Sequence, residues 1–270
     1  MVSAKIKITN NIYYEILSNF TKIWYSRHNL VLITTKNLIT NKTYFNWSTG
    51  KDSALALYYL LQDSNYQVTH LLTAVNKHYD RVSMHGLRRE LMLQQINALG
   101  ISFSTIELPE QPGMIEYETL MKEAVLPLIE QGFTHAAFGD IFLEDLKSYR
   151  EQQLAAVNLK AVFPIWKRDT KQLLREFISL GFKAILICVN ASKLDQSFIG
   201  RVIDDKFIDD LPEDVDPCGE NGEYHTFCFD GPIFRNPIAY KAGAIVYREY
   251  DAPSGIDGNS KLGFWFCDLF

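Results

Sequence analysis

From Thr43 to Trp166 the sequence alternates short apolar segments with helical repeats, and this alternation restricts the fold more than any other feature. The first apolar segment, TYFNW, is followed by apolar residues at helical spacing, namely Ala54, Leu57, Tyr58 and Leu61. Further predicted strands, each followed by a helical or turn segment, are THLLTAV, ISFSTIEL, FTHAAFGD and AVFPIW. Strands that alternate with helices form a mostly parallel sheet with helices on both faces. The sequence therefore predicts an α/β fold whose ligand crevice lies at the carboxyl ends of the strands.

The chain divides into three regions by pattern. Residues 1–42 contain a single acidic side chain, Glu15, and one strand-like segment, NLVLITT, so we expect an N-terminal extension there. Residues 43–166 carry the alternating pattern. Residues 167–270 begin with a predicted helix capped by Asp169, continue into the strand KAILICVN, and are predicted to form a smaller C-terminal α/β domain.

Composition excludes several classes of protein. The formal net charge of -5 argues against a dedicated nucleic-acid binder, which usually carries a basic surplus. No apolar run reaches the length of a membrane span, and the N-terminus lacks the pattern of a signal peptide. The four cysteines form no Cys-x-x-Cys pair, which favours free thiols in a reducing cytoplasm, and the spacing of Cys218, His225 and Cys228 fits no common zinc site. The oligomeric state stays open.

The segment STGKDS, Ser48 to Ser53, lies where the first strand turns into the first helix. Such a turn offers backbone N–H groups, hydroxyls, the positive end of a helix dipole and the charge of Lys51, all of which suit phosphate. Asp52 would repel phosphate unless it faces Mg²⁺ or the helix end. An ordinary strand-turn-helix connection, capped by Asp52 or Ser53, is the alternative. A Walker A loop is excluded because Phe45 stands at its first glycine and Asp52 follows the lysine, and no Gly-x-Gly-x-x-Gly occurs here.

This loop is similar to the Ser-Gly-Gly-x-Asp-Ser loop of the PP-loop ATP pyrophosphatases, with Thr49 in place of the first glycine. Three further segments narrow the resemblance: RVSMHGLRRELMLQQINALGI, FGDIFLEDLKSYREQQL and DPCGENGEYHTFCFDGPIF. Together they resemble the diphthine–ammonia ligase family, also called the ATP-binding-4 domain, from about Thr43 to the C-terminus. Because the Cβ atom of Thr49 restricts its backbone, we expect the local turn to differ slightly from that of the family.

The resemblance implies a HUP-type α/β sheet and ATP-dependent amidation. A carboxylate attacks the α-phosphate to form an acyl-adenylate, pyrophosphate leaves, and ammonia then displaces AMP. The implied substrates and cofactors are ATP, Mg²⁺, ammonium and a carboxylate-bearing acceptor, either protein-borne diphthine or a small molecule. On this basis residues 43–166 are the PP-loop ATP-binding domain and residues 167–270 the substrate domain.

The resemblance also implies roles for individual residues. Asp52 is assigned to Mg²⁺, and the nucleotide-binding set is Ser48, Thr49, Gly50, Lys51, Asp52, Ser53, Ala74 and Gly139. Ala74 belongs to TAVN at the end of the second strand, where backbone contacts to adenine and plain strand-end structure are equally compatible with the pattern.

The predicted catalytic residues are Asp140, Glu220 and Glu223. Paired carboxylates on the tight GENGEYHT loop suit metal binding, ammonium capture or general-base chemistry, although two exposed acids on a turn are also common. The predicted substrate-binding residues are His85, Arg150, Glu151, Asn221 and His225. For His85 a packing role is the alternative, and for Glu151 it is a salt-bridged, solvated helix face.

Two other functions are compatible with the loop. One is a different PP-loop reaction, such as thiolation or amidation of a tRNA base or small metabolite, but thiolation usually requires cysteine pairs, which are missing. The other is an ATP-binding protein without turnover, which has little need for four acidic residues, Asp52, Asp140, Glu220 and Glu223.

Overall fold

The computed structural model of the chain describes residues 22–26, 29–33, 40–251 and 261–270. Strands β1 (Lys22–Ser26) and β2 (Asn29–Ile33) pair as an antiparallel hairpin within the N-terminal unit, and β2 corresponds to the predicted NLVLITT strand. The other predictions for residues 1–39 lie outside the described residues. Residues 41–270 form a separate unit that contains every element described below.

The central sheet of this unit is parallel apart from one short strand. Its strands are β3 (Asn41–Asn46), β4 (Tyr66–Asn76), β5 (Arg81–Val82), β6 (Ser102–Leu108), β7 (His135–Ala137) and β8 (Lys160–Val162). β3 lies between β4 and β7, β8 lies beyond β7, and β6 pairs with the other side of β4. Among these described strands, only β5, which pairs with the end of β4, runs antiparallel. This arrangement confirms the predicted fold class.

Helices cover both faces of this sheet: α1 (Lys51–Gln62), α2 (Arg89–Leu99), α3 (Met114–Glu130) and α4 (Glu144–Ala155). Successive side chains of a strand point to opposite faces. Accordingly, Phe45 packs with residues of α1 and α2, whereas Tyr44 packs with residues of α3 and α4. Because each face has its own apolar cluster, the strands are apolar on both sides, which is typical of a buried parallel sheet.

The C-terminal region adds an antiparallel sheet. Its elements are α5 (Thr170–Ser179), β9 (Lys183–Asn190), a 3₁₀ turn (Gln196–Phe198), α6 (Asp205–Asp210), β10 (Tyr224–Asp230), β11 (Ala242–Asp251) and β12 (Lys261–Leu269). The strand order is β10-β9-β12-β11. Asp169 caps α5 by accepting a hydrogen bond from Gln172 N, as predicted. Phe177 and Phe227 belong to the same apolar cluster as α1 and α2, so this core extends from the parallel sheet into the antiparallel one.

The sequence patterns missed several elements. The weak signals of β5, α6 and β12 gave no prediction. Strand β3 begins at Asn41, inside the region predicted as the N-terminal extension. These errors lie at element boundaries and in short elements, where local periodicity carries little information.

The chain leaves β3 and β7 at neighbouring positions on the carboxyl edge of the parallel sheet. At this point the turn after β7 touches the start of α1. A Cβ atom on Gly139 would lie 2.9 Å from Ser53 N and 3.0 Å from Asp52 C. Gly139 therefore allows the two chain segments to approach each other, and this approach determines the shape of the crevice.

We expect Gly139→Ala to destabilise the protein by about 1–3 kcal/mol, because the added methyl group would press on backbone atoms that have little room to move. Chemical denaturation monitored by circular dichroism measures this change. Gly113→Ala is the control: apart from its chain neighbours, no heavy atom of the described residues lies within 4 Å of its Cβ position, so we expect a smaller loss, below about 1 kcal/mol, from the poorer N-cap of α3 alone. Equal stability of Gly139→Ala and wild type would contradict the close approach.

Candidate active site

The N-terminus of α1 lies at the switch point between β3 and β7. Its N-cap is Gly50, which has no side chain to cap the helix, and Lys51 N donates instead to the Thr226 hydroxyl over 3.1 Å. The first turn of a helix has N–H groups without intrahelical partners and carries the positive end of the helix dipole. The hydroxyl of Ser48 lies 2.7 Å from that of Ser53, and Ser48 N donates to the same Ser53 oxygen over 3.2 Å. The two serines thus close the loop, Ser48–Ser53, into a compact turn.

Thr49 has a φ of +75°, a left-handed conformation that glycine adopts readily and β-branched residues seldom do. The side chain is fully buried, and among the described residues no group hydrogen-bonds its hydroxyl. Its carbonyl accepts two hydrogen bonds, from Gln95 Nε2 and from Cys228 N, both over 3.0 Å. Thr49 therefore holds a backbone conformation that glycine would adopt without strain, and a slight difference of this turn from that of the family stays a prediction.

Gly50 is packed against the segment that follows β4 and against β10. A Cβ atom there would lie 2.8 Å from His85 Cε1 and 3.3 Å from Thr226 O. Thr226 also accepts a hydrogen bond from Lys51 N through its hydroxyl, over 3.1 Å. The phosphate loop is thus held from outside by β10.

Lys51 differs from its predicted role as a phosphate ligand. It is 3% exposed, and its ammonium group donates to both carboxylate oxygens of Asp52 (2.8 and 2.7 Å) and to the carbonyl of Cys218. Burial alone would lower the pKa of Lys51, but the Asp52 carboxylate outweighs this effect and raises the pKa well above its ordinary value. Lys51 therefore connects the loop to the 216–226 segment and neutralises Asp52.

Three predicted carboxylates come together beside the loop: Asp52, Asp140 and Glu220. Glu220 accepts a hydrogen bond from Ile141 N over 3.1 Å, which joins the GENGEYHT loop to the turn after β7. Burial, followed by repulsion from Asp52 and Asp140, raises the pKa of Glu220 to about 8. Glu220 can therefore gain or lose a proton near neutral pH.

Asp140 forms a two-pronged ion pair with Arg150, with 2.8 Å between Nε and Oδ2 and 3.3 Å between Nη2 and Oδ1. The Arg150 guanidinium also lies 4.3 Å from the centre of the Phe138 ring. These contacts direct Arg150 towards Asp140, which was predicted as a catalytic residue. Glu151, in contrast, pairs with Lys147 on an exposed helix face over 2.7 Å. The contacts of Glu151 match the salt-bridge alternative and not the predicted substrate contact.

Glu223 is 1% exposed and serves the loop itself. One carboxylate oxygen accepts from Asp216 N (3.0 Å) and Asn221 Nδ2 (3.2 Å), and the other from Asn221 N (2.9 Å). Its hydrogen-bonding capacity is taken up by neighbouring amides, so the predicted catalytic role is corrected to an organising one. Asn221 is exposed but spends its side-chain amide on this same contact.

His85 and His225 stack on each other beside Gly50, with ring centres 4.9 Å apart. Burial, with repulsion from the neighbouring His225, lowers the pKa of His85 to about 3; burial also lowers the pKa of His225 to about 4. Both imidazoles are therefore neutral at physiological pH, and they pack against the loop as a pair. This geometry matches the packing alternative for His85.

At Ala74, the predicted adenine contact, one backbone group already has a hydrogen-bond partner in the protein. The carbonyl of Ala74 accepts a hydrogen bond from Ser83 N over 2.9 Å, which closes the turn between β4 and β5. Thus Ala74 lies at the carboxyl edge of the sheet, as predicted, but its carbonyl already has one protein donor.

Two residues of the site escaped the sequence analysis, Gln95 and Thr226. Gln95 is fully buried on α2, where its neighbours on the inner face are Leu91, Met92, Ile96 and Leu99. A polar residue within an apolar helical stripe was the available signal, because such a residue must find hydrogen-bond partners in the core. Thr226 gave no such signal, since threonine is ordinary in a strand.

Across residues 40–251 and 261–270, no three His, Cys, Asp or Glu side chains are placed to bind a metal by themselves. Mg²⁺ usually takes one or two carboxylates plus substrate phosphates. The carboxylates at the loop fit that mode of binding. No helix in this part of the chain is long and apolar enough to cross a membrane, and all four cysteines are buried free thiols.

Two family models match this chain, one over each of the two regions that contribute residues to the site. Residues 41–161 match the family model described as the diphthamide synthase N-terminal domain, and residues 169–257 match the diphthamide synthase C-terminal domain. Diphthine–ammonia ligase of Homo sapiens is 33% identical over 116 residues, which are 41% of this chain and 43% of that protein. The enzyme of Mus musculus is 26% identical over 184 residues, 66% of each chain. The match thus spans less than half of the human relative.

Among solved structures, the U34-tRNA thiolase NcsA from Methanococcus maripaludis, with its [4Fe-4S] cluster, has 19% sequence identity and a TM-score of 0.34. This match covers 54% of the present chain and 59% of the thiolase.

The raised pKa of Glu220 predicts how stability depends on pH. Because the folded state binds this proton more tightly than the unfolded state, its contribution is complete below about pH 4.5 and is lost as pH rises through about 8. We expect Glu220→Gln to be more stable than wild type at pH 8, by on the order of 1–3 kcal/mol, and nearly equal to it at pH 5. Denaturant titrations at both pH values measure the difference. A variant less stable than wild type at pH 8 would contradict a buried, easily protonated Glu220.

Proposed function

Because this chain belongs to the diphthamide synthase family, we propose that it is an ATP-dependent, AMP-forming ligase that joins a carboxylate to ammonia. The chain covers less than half of the human diphthine–ammonia ligase that it matches, so the activity is a proposal for this protein as a whole. The proposal is supported by the meeting of the phosphate loop, Asp140 and Glu220 at one edge of the sheet.

The phosphate loop suits the outer two phosphates of ATP. The N-terminus of α1 supplies a positive dipole end and the N–H groups of its first turn other than that of Lys51, which the Thr226 hydroxyl already binds. We propose that Asp52 and Asp140 hold Mg²⁺, which would offset phosphate charge. With the β- and γ-phosphates fixed, the α-phosphorus is left for attack by the acceptor carboxylate, and the bond to pyrophosphate breaks.

The single observation that carries the proposal is the position of Glu220. It is held by Ile141 N beside the Asp52 carboxylate, and its pKa of about 8 allows proton exchange near neutral pH. We propose that Glu220 takes a proton from ammonium. The free ammonia then attacks the acyl carbon, the carbon–oxygen bond to AMP breaks, and the amide forms.

The acceptor is assigned by analogy with the relatives, whose names specify diphthine. We propose that residues 43–166 bind ATP and that residues 167–270 contribute to binding a carboxylate-bearing acceptor, either protein-borne diphthine or a small molecule. In this region Asn221 is exposed, and His225 stacks on His85 beside Gly50. Buried free thiols support a cytoplasmic site of action.

We expect the purified protein, given ATP, Mg²⁺, ammonium and a carboxylate acceptor, to form AMP and pyrophosphate in equal amounts. Chromatography of the nucleotides and a pyrophosphate assay measure both products. ADP as the product would exclude the ligase, and ATP binding without turnover for any acceptor would favour a nucleotide-binding protein. Transfer of sulfur to tRNA would identify a thiolase instead.

We expect Glu220→Gln to lower kcat about 100-fold or more, because the proton acceptor is lost, while the affinity for ATP changes less than about three-fold. Steady-state kinetics and calorimetric ATP titration separate the two effects. The same substitution at the exposed Glu123 of α3 is the control and should leave both values unchanged. An unchanged kcat in Glu220→Gln would remove Glu220 from the mechanism.

A further inference from the structure

We propose that Gln95 is a positioning residue for the phosphate loop, acting through the peptide bond between Thr49 and Gly50. The inference rests on the proposed ATP binding. It concerns a residue that contacts the loop at the carbonyl of Thr49. It starts from the burial of Gln95, which is 0% exposed on a helix face that is otherwise apolar.

A buried amide must be hydrogen-bonded, and Gln95 uses both of its donors and one acceptor position. Its oxygen accepts from Trp47 Nε1 over 2.8 Å. Its nitrogen donates to Thr49 O over 3.0 Å and to Cys228 O over 2.5 Å. One side chain thus joins the end of β3, the phosphate loop and β10.

The contact with Thr49 matters because of peptide geometry. A trans peptide is planar, so its C=O and its N–H point in opposite directions. Hydrogen bonds from Gln95 Nε2 and Cys228 N direct the carbonyl of Thr49 towards α2 and β10. The N–H of Gly50 is consequently directed to the opposite side, towards the start of α1 and the hydroxyl oxygen of Ser48, which lies 3.5 Å away.

Thr49 makes this restraint necessary. A β-branched residue at a φ of +75° is strained, and its buried hydroxyl gains no hydrogen bond among the described residues to offset the strain. Without the two hydrogen bonds to its carbonyl, Thr49 would relax towards a negative φ and turn the Gly50 N–H away. A glycine in place of Thr49 would accept the same conformation without strain. Gln95 therefore compensates for the threonine.

The test is the affinity for ATP and Mg²⁺, measured by calorimetry without acceptor, in a cycle of Gln95→Met and Thr49→Gly. Methionine keeps the length of the side chain and removes its hydrogen bonds. We expect Gln95→Met to weaken ATP binding roughly ten-fold in the wild-type background and less than about three-fold in the Thr49→Gly background. KM for ATP should rise while kcat changes little.

Trp47→Phe is the matched control, because it removes a hydrogen bond to Gln95 but leaves Thr49 untouched. We expect it to lower stability without changing ATP affinity more than about two-fold. Should Gln95→Met not fold, Gln95→Glu replaces it: the carboxylate keeps the Trp47 contact but brings an acceptor to the Thr49 carbonyl.

Equal losses of affinity in both backgrounds, or no loss in either, would overturn the inference while ATP binding by the wild type stands. An equal loss in Trp47→Phe would also overturn it, since the effect would then be general to the core. Failure of the wild type to bind ATP would overturn the proposed function together with the inference.

Discussion

The hydrogen bond from Cys228 N to Thr49 O joins the antiparallel sheet to the phosphate loop. Two further bonds act at the same place, from Lys51 N to the Thr226 hydroxyl and from the Lys51 ammonium to the carbonyl of Cys218. Backbone groups buried between packed elements must be paired, so this junction fixes both partners at once. The loop geometry, the position of Glu220 and the shared apolar core all depend on β10 lying against the loop.

The carboxylates around this junction differ in how far neighbouring cationic side chains balance their charge. Asp52 has the ammonium of Lys51, and Asp140 has the guanidinium of Arg150. Glu220 receives a backbone amide and stays close to two carboxylates, so burial keeps its proton in place near neutral pH. A bound cation would favour release of that proton, since it stabilises the charged form. In the proposed reaction, Mg²⁺ binding and proton transfer would thus be linked at Glu220.

The sequence predicted the parallel sheet and the turn from β3 into α1 because both follow from local periodicity. It did not predict which side chains from distant segments of the chain contact each other. Glu223 and Glu220 look alike in the sequence, yet one organises its own loop and the other reaches Ile141, 79 residues away along the chain. The contacts of Lys51 were missed for the same reason, because its partners Cys218 and Thr226 lie far from it in the sequence. Such contacts are decided by packing between elements, which periodicity does not record.

The bond from Lys51 to Thr226 spans 175 residues of chain. During synthesis from the N-terminus, the loop leaves the ribosome long before its partner strand exists. Contacts of such sequence separation form late, after the entropy of closing a long loop has been overcome. The Ser48–Ser53 loop therefore reaches its final shape only after β10 has been synthesised, and nascent chains that lack β10 hold this loop without the partners that fix it.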